Sequence, residues 1–273
     1  MITKFINYLT KIKGYSPNTA RAYESDIRTF ARWANANLQN ARWSTLTRED
    51  IDNYIQHQTD EGQKPATTNR QLSSISSLYK YLQREGLLKD NPTKYESRRK
   101  MAETIPNTIP YNEIRMAYSN AQGATRTMIG ILATTGIRIQ EMLDMQWADI
   151  NLKEGTIKVM GKGSKERIVK TQPEILSDLV RLNETISPSG KLFYLDQRTA
   201  RFMIWKALQP YSQARQLSPH AIRHSMATEM AKNGANATTI ASILGHSSIS
   251  TTQRYIDMSK ASCTYSGINL INQ

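Results

Sequence analysis

Apolar residues recur every three to four positions through most of the first 85 residues, the spacing of one face of an α-helix. Phe5, Ile6, Leu9 and Ile12 form the first stripe, and Gly14 ends it. Ser16 followed by Pro17 is a strong helix start, a side-chain cap with proline at the first turn. The helix it predicts carries Tyr23, Ile27, Phe30 and Trp33. Thr47 opens a third helix, with Asp50 placed three residues on, close to a capping box. A fourth runs from about Thr67 to Glu85 with Leu72, Ile75, Leu78, Tyr79 and Leu82 on one face, and Gly86 stops it. Four helices of this length predict a small all-α domain over residues 1–90.

The pattern breaks over residues 91–110. Asp90-Asn91-Pro92 interrupts helix, Lys94 to Lys100 is mostly polar and basic, and Pro106 and Pro110 follow, so this stretch reads as a linker. From Tyr111 to the chain end at residue 273 the periods are mixed. Asn112–Gln122 and Thr125–Thr134 read as helices. Trp147 to Leu152, Thr156 to Met160 and Arg167 to Lys170 read as three short strands, with turns at Glu154-Gly155 and Gly161 to Ser164. After Gln172 the helical period returns. The expected fold is mainly α in two domains: an all-α bundle, then a mixed, mostly α domain with a small antiparallel sheet.

Composition narrows the partners. Each half is long enough to bury its own core. No apolar run is long enough to span a bilayer, and the start lacks the unbroken apolar stretch of a signal peptide, so the expected location is cytoplasmic. Cys263 is the single cysteine, which excludes an internal disulfide and a cysteine-built zinc site. The net charge of +13 points to a polyanion. Residues 1–105 hold 17 Lys+Arg against 11 Asp+Glu, and residues 106–273 hold 19 against 12. Two basic halves suggest two bodies that both touch a phosphate backbone, where one basic tail would suggest a tether.

Four places carry candidate chemistry. In Thr135-Gly136-Ile137-Arg138-Ile139-Gln140-Glu141, Gly136 ends one helix and Arg138 opens the next, beside backbone N–H groups that favour an anion. The plainer reading of Arg138 is a pair with Glu141. Gly161-Lys162-Gly163-Ser164-Lys165-Glu166-Arg167 is a tight turn from which Lys162 projects. In His220-Ala221-Ile222-Arg223-His224, preceded by Ser218-Pro219, His220 and Arg223 share a helix face and could hold one phosphate together. Leu244-Gly245-His246 is followed nine residues later by Tyr255, which falls within a helix that Ser250 or Thr251 could cap. Taken singly, each of these is as readily a packing residue or a surface pair. Together, two arginines, a lysine, two histidines and a tyrosine are what phosphoryl transfer without a metal requires. Guanidiniums neutralise developing charge, a histidine or lysine handles protons, and a tyrosine oxygen forms a phosphoester.

TGIRIQE, GKGSKER, HAIRH, LGH and the tyrosine beyond them resemble, in order, the signature boxes of the tyrosine recombinase (phage integrase) family. SPNTARAY and ATTNRQLSSISSLYKYL resemble the core-binding domain of Xer-type members. The resemblance covers nearly the whole chain. It implies a DNA-binding core-binding domain over 1–90, a linker over 91–110 and a catalytic domain over 111–273. It implies that Arg138 and Arg223 hold the scissile phosphate, that Lys162 protonates the leaving 5′-hydroxyl, that His220 is the phosphate-contacting acid or base with His246 the second such group, and that Tyr255 is the nucleophile. Glu141 matches an acidic position that orients the site, and Arg70, Lys165 and Arg167 are candidate DNA contacts. The implied cycle runs through a 3′-phosphotyrosyl bond and a Holliday junction, on double-stranded DNA with paired sites clamped between the two domains. Four subunits act together, with no cofactor or metal. The lack of an added N-terminal arm domain leans toward a simple recombinase. Gly267 interrupts what is often a C-terminal helix, so docking of the tail on a neighbouring subunit is less secure. Two other functions fit parts of the pattern: a type IB topoisomerase, against which the Xer-like first half argues, and a non-catalytic DNA-binding regulator, against which the full residue set argues.

Overall fold

Each stripe in the first 94 residues folds as a helix, and the capping residues set where the helices begin. The computed structural model describes residues 1–94, 106–161, 166–185, 190–245 and 252–257. Most of the linker, the turn after Gly161, Cys263, the Ser250/Thr251 cap and the tail beyond Gly267 lie outside them. The first helices are α1 (Ile2–Lys11), α2 (Pro17–Asn37), α3 (Arg48–Asp60) and α4 (Pro65–Arg84). The Ser16 hydroxyl accepts from the Thr19 N–H ahead of α2. Thr47 and Asp50 close a reciprocal capping box ahead of α3, at 3.2 and 2.8 Å. α4 begins two residues before Thr67, because Pro65 occupies the first turn, where its missing N–H costs nothing.

These helices belong to one compact unit, Met1–Glu103. Its core is aromatic. Phe30, Tyr54 and Tyr79 are fully buried with Ile51 and Ile75, while Phe5, Leu9, Ile27, Leu78 and Leu82 fill the other end. Polar links also cross this apolar interior, among them one between α2 and α4. Asp26 of α2, 4 % exposed, accepts from the Arg70 guanidinium at 2.5 Å and the Ser74 hydroxyl at 2.8 Å, both on α4. The cation outweighs neither the burial nor its effect on acidity, so the Asp26 carboxyl is raised above its ordinary range.

The second compact unit is Thr104–Gln273. Its elements are α5 (Tyr111–Asn120), α6 (Gly123–Thr135), α7 (Ile139–Leu143), β1 (Ile150–Asn151), β2 (Thr156–Met160), β3 (Glu166–Lys170), α8 (Pro173–Thr185), α9 (Gln197–Leu208), α10 (Pro219–Lys232) and α11 (Ala237–Leu244). Residues 252–257 are also helical. α6 is the central helix, with Met128, Ile129, Ile131 and Leu132 fully buried between α5, α8, α9 and α10. The sheet is antiparallel in the order β1-β2-β3, with Ile157 opposite Ile150 on one side and Val169 on the other. The first strand is shorter than its sequence suggests. Asp149 takes the Gln146 N–H at 2.9 Å and folds Trp147–Asp149 into a 3-10 turn, leaving only Ile150 and Asn151 to pair. Among the described residues no helix is long and apolar enough to cross a membrane.

Candidate active site

The last carbonyls of an α-helix have no partner within the helix and carry the negative end of its dipole. Two helix ends in the second unit use arginines to satisfy them. α6 ends at Gly136 and α11 at Gly245, both left-handed, with φ of 60° and 65°. Arg223, from the first turns of α10, reaches both ends: Nη1 donates to the Gly136 carbonyl at 2.5 Å and Nη2 to the Leu244 carbonyl at 2.7 Å. Arg138, the residue ahead of α7, donates from Nη2 to the Gly245 carbonyl at 3.2 Å. Arg167 of β3 donates from Nε to the Ile243 carbonyl at 3.1 Å. Three guanidiniums are thus gathered round two helix ends.

Glu141 fixes two of the three. Its carboxylate accepts the Arg138 backbone N–H and Nη1, each at 2.8 Å, and Arg167 Nη1 and Nη2 at 3.2 and 2.7 Å. Burial alone would raise its pKa, but the bonds from Arg167 and the Arg138 backbone prevail and lower it. Arg138 thus pairs with Glu141 and also stands at a helix start. The Arg167 side chain is only 13 % exposed, and its guanidinium is engaged by Glu141 and the end of α11.

Arg223 is 2 % exposed, and loss of hydration, then the nearby Arg138 charge, lowers its pKa to about 10. It stays cationic at neutral pH, but at a cost that an anion would relieve. It forms part of the wall of a cleft of about 620 Å³ whose lining includes Arg138, His220, Arg201, Phe202 and Trp205. α10 starts as expected, with the Ser218 hydroxyl accepting the Ala221 N–H and Pro219 at the first position. This puts His220 at the cleft. Desolvation, then the charges of Arg223, Arg138 and Arg201, lowers its pKa.

Tyr255 is 1 % exposed and packs with Met226, Ala227, Ala231, Ile240 and Leu244. Burial raises its pKa, with Arg223 and Arg254 pulling the other way. Its hydroxyl and His224 Nδ1 are 2.6 Å apart. His224 in turn meets His220 edge to face, with ring centroids 4.2 Å apart. The structure thus brings Arg138, Glu141, His220, Arg223 and Tyr255 into one neighbourhood. Lys162, Lys165 and His246 lie outside the described residues. Arg70 belongs to the first unit, where its guanidinium is 44 % exposed beside Asp26. The sequence reading gave no role to His224, Arg201 or the exposed, stacked Phe202–Trp205 pair. For His224 the signal was present: it stands one turn from His220, so the rings share a face.

The family model described as "Phage integrase family" matches residues 107–262, and "Phage integrase, N-terminal SAM-like domain" matches residues 2–86. The chain belongs to the phage integrase family. As such it is a site-specific tyrosine recombinase. Similar proteins include tyrosine recombinase XerD of Staphylococcus epidermidis, 30% identical, with 96% of this chain and 95% of the relative covered. XerD of Listeria innocua is 29% identical over 95% of this chain and 94% of its own. Among solved structures, XerH recombinase in a post-cleavage complex with its difH substrate has a TM-score of 0.77, covering 97% of this chain and 84% of that one at 18% identity. A lambda integrase dimer bound to a core site has a TM-score of 0.73, covering 94% of each at 18% identity. These likenesses bear on the fold.

Proposed function

We propose that this recombinase binds duplex DNA at paired sites and seats the scissile phosphate in the cleft beside Arg138 and Arg223. The observation that carries the reading is the gathering of two guanidiniums and His220 at one cleft, with the Tyr255 hydroxyl within reach of the Arg223 charge. Arg138 and Arg223 neutralise charge as it builds on the non-bridging oxygens. Tyr255 Oη attacks phosphorus, the bond to the 5′-oxygen breaks, and a 3′-phosphotyrosyl link forms. Lys162 gives the leaving oxygen its proton, His220 and His246 contact the phosphate, and Glu141 keeps Arg138 in place. A 5′-hydroxyl from the partner strand then attacks the link and regenerates the tyrosine. Two such rounds, made by four subunits through a Holliday junction, exchange both strands.

Residues 1–90 serve as the DNA-binding domain, residues 91–110 as linker and residues 111–273 as the catalytic domain. The basic excess in both halves supports DNA contact by each. Tyr255→Phe tests the reading: it should bind DNA and leave no protein–DNA adduct in denaturing gels. An adduct that persists in this variant overturns the assignment.

A further inference from the structure

The structure holds a proton partner for the nucleophile that differs from the histidine facing the cleft. We infer that His224 takes the proton of Tyr255 during strand cleavage. The inference rests on Tyr255 being the nucleophile, and deepens that reading.

Attack by a tyrosine requires its hydroxyl proton to leave as the oxygen–phosphorus bond forms. Burial raises the Tyr255 pKa, so at neutral pH the hydroxyl is protonated and needs an acceptor at hand. The ring that touches it is that of His224, with Nδ1 2.6 Å from Oη. That is a short separation for this pair of atoms. With Tyr255 protonated, the neutral ring accepts at Nδ1. As the oxygen–phosphorus bond forms and the bond to the 5′-oxygen breaks, the proton passes to Nδ1. The imidazolium then lies beside the phosphate ester, and the leaving oxygen collects its own proton from a separate acid, the role proposed for Lys162.

Helix geometry puts both rings on one face of α10, and it is the His224 ring that meets the Tyr255 hydroxyl. They stand one turn apart on α10, with rings in edge contact at 4.2 Å. His220 sits among Arg138, Arg201 and Arg223, whose charges oppose its protonation. A base that must gain a proton is poorly placed among three cations. His224 meets the hydroxyl of Tyr255, which itself packs with Met226, Ala227 and Leu244.

The test is single-turnover cleavage of a nicked recombination site by the full chain, comparing wild type, His224→Asn, His224→Ala and Tyr255→Phe. Asparagine places an oxygen near the position of Nδ1, so it can hold the hydroxyl but cannot take its proton. His224→Asn should bind the site normally yet cleave about 100-fold or more slowly. Added imidazole should restore His224→Ala in proportion to its free-base concentration, an effect that a structural role would not produce. Wild-type rates in His224→Asn, faster cleavage in His224→Ala, or no rescue by imidazole overturns the inference. Should the alanine variant fail to fold, the asparagine rate alone decides. An adduct formed by Tyr255→Phe would instead defeat the nucleophile assignment beneath it.

Discussion

Arg223 carries a full charge at 2 % exposure, and among the described residues its two hydrogen bonds go to neutral carbonyls. Its planar fork spans the Gly136 and Leu244 oxygens at once, which a lysine ammonium cannot do. Arg223→Lys should therefore lower the cleavage rate by about 100-fold or more while changing half-site affinity little, as single-turnover cleavage and gel shifts would show. Glu141 gives a pH prediction. Its folded pKa lies below the unfolded value, so the native state is stabilised above the ordinary carboxylate range, and that stabilisation is lost as pH falls through the folded pKa. Wild type should be more stable than Glu141→Gln at pH 7, and urea midpoints should converge as the buffer is taken down through the carboxylate range. A gap that stays constant with pH would mean that the carboxylate charge is not what holds Arg138 and Arg167. At this scale, residue types and helix spacing identified Arg138, His220, Arg223 and Tyr255 as candidates. They did not show that Arg167 turns inward, because that depends on Ile243, which lies 76 positions away.

Among the elements, α6 and α11 matter most for where their C-termini fall. Gly136 has φ of 60°, and a Cβ there would lie 2.7 Å from Leu244 Cδ2 and 3.0 Å from Met226 Sδ. Gly136→Ala should cost about 2–4 kcal/mol, from the left-handed backbone and from overpacking together. Gly62 is the control: φ is 77° and a Cβ there would meet nothing within 4 Å, so Gly62→Ala should cost about 1 kcal/mol. Denaturant unfolding separates the two, and equal losses would mean that the Leu244 and Met226 contacts yield freely. Helix starts were legible because Ser16, Thr47 and Ser218 cap through their own side chains, a local effect. The stretch from Trp147 to Leu152 misled because its apolar alternation matches a strand, while the Asp149 bond to Gln146 selects a turn first.

At the scale of the whole chain, charge should govern affinity. Lys and Arg that displace counterions give binding a steep salt dependence. Arg70 is the proposed contact, its guanidinium paired with buried Asp26 while it stays 44 % exposed. Arg70→Ala should reduce the slope of log affinity against log salt by about one and weaken unrelated sequences equally. An unchanged slope would make the Asp26–Arg70 pair a structural link only. The two cores were legible because helical stripes stop at Gly86 and resume after Pro110. The joining of Arg138 to Gly245, 107 positions apart, was not, since periodicity reports which face is buried and not what it is buried against.

The collar of helix-end carbonyls round three arginines has a calorimetric consequence. Whatever supplies the missing negative charge stabilises the native state by mass action, since the unfolded chain has no such collar. A tetrahedral oxyanion should be enough for this. Sulfate should raise the melting temperature of the DNA-free protein above that in chloride of equal ionic strength, and the increment should shrink in Arg138→Ala. The resting enzyme would then be a sensor of small oxyanions, its heat stability set by the salt in which it is kept.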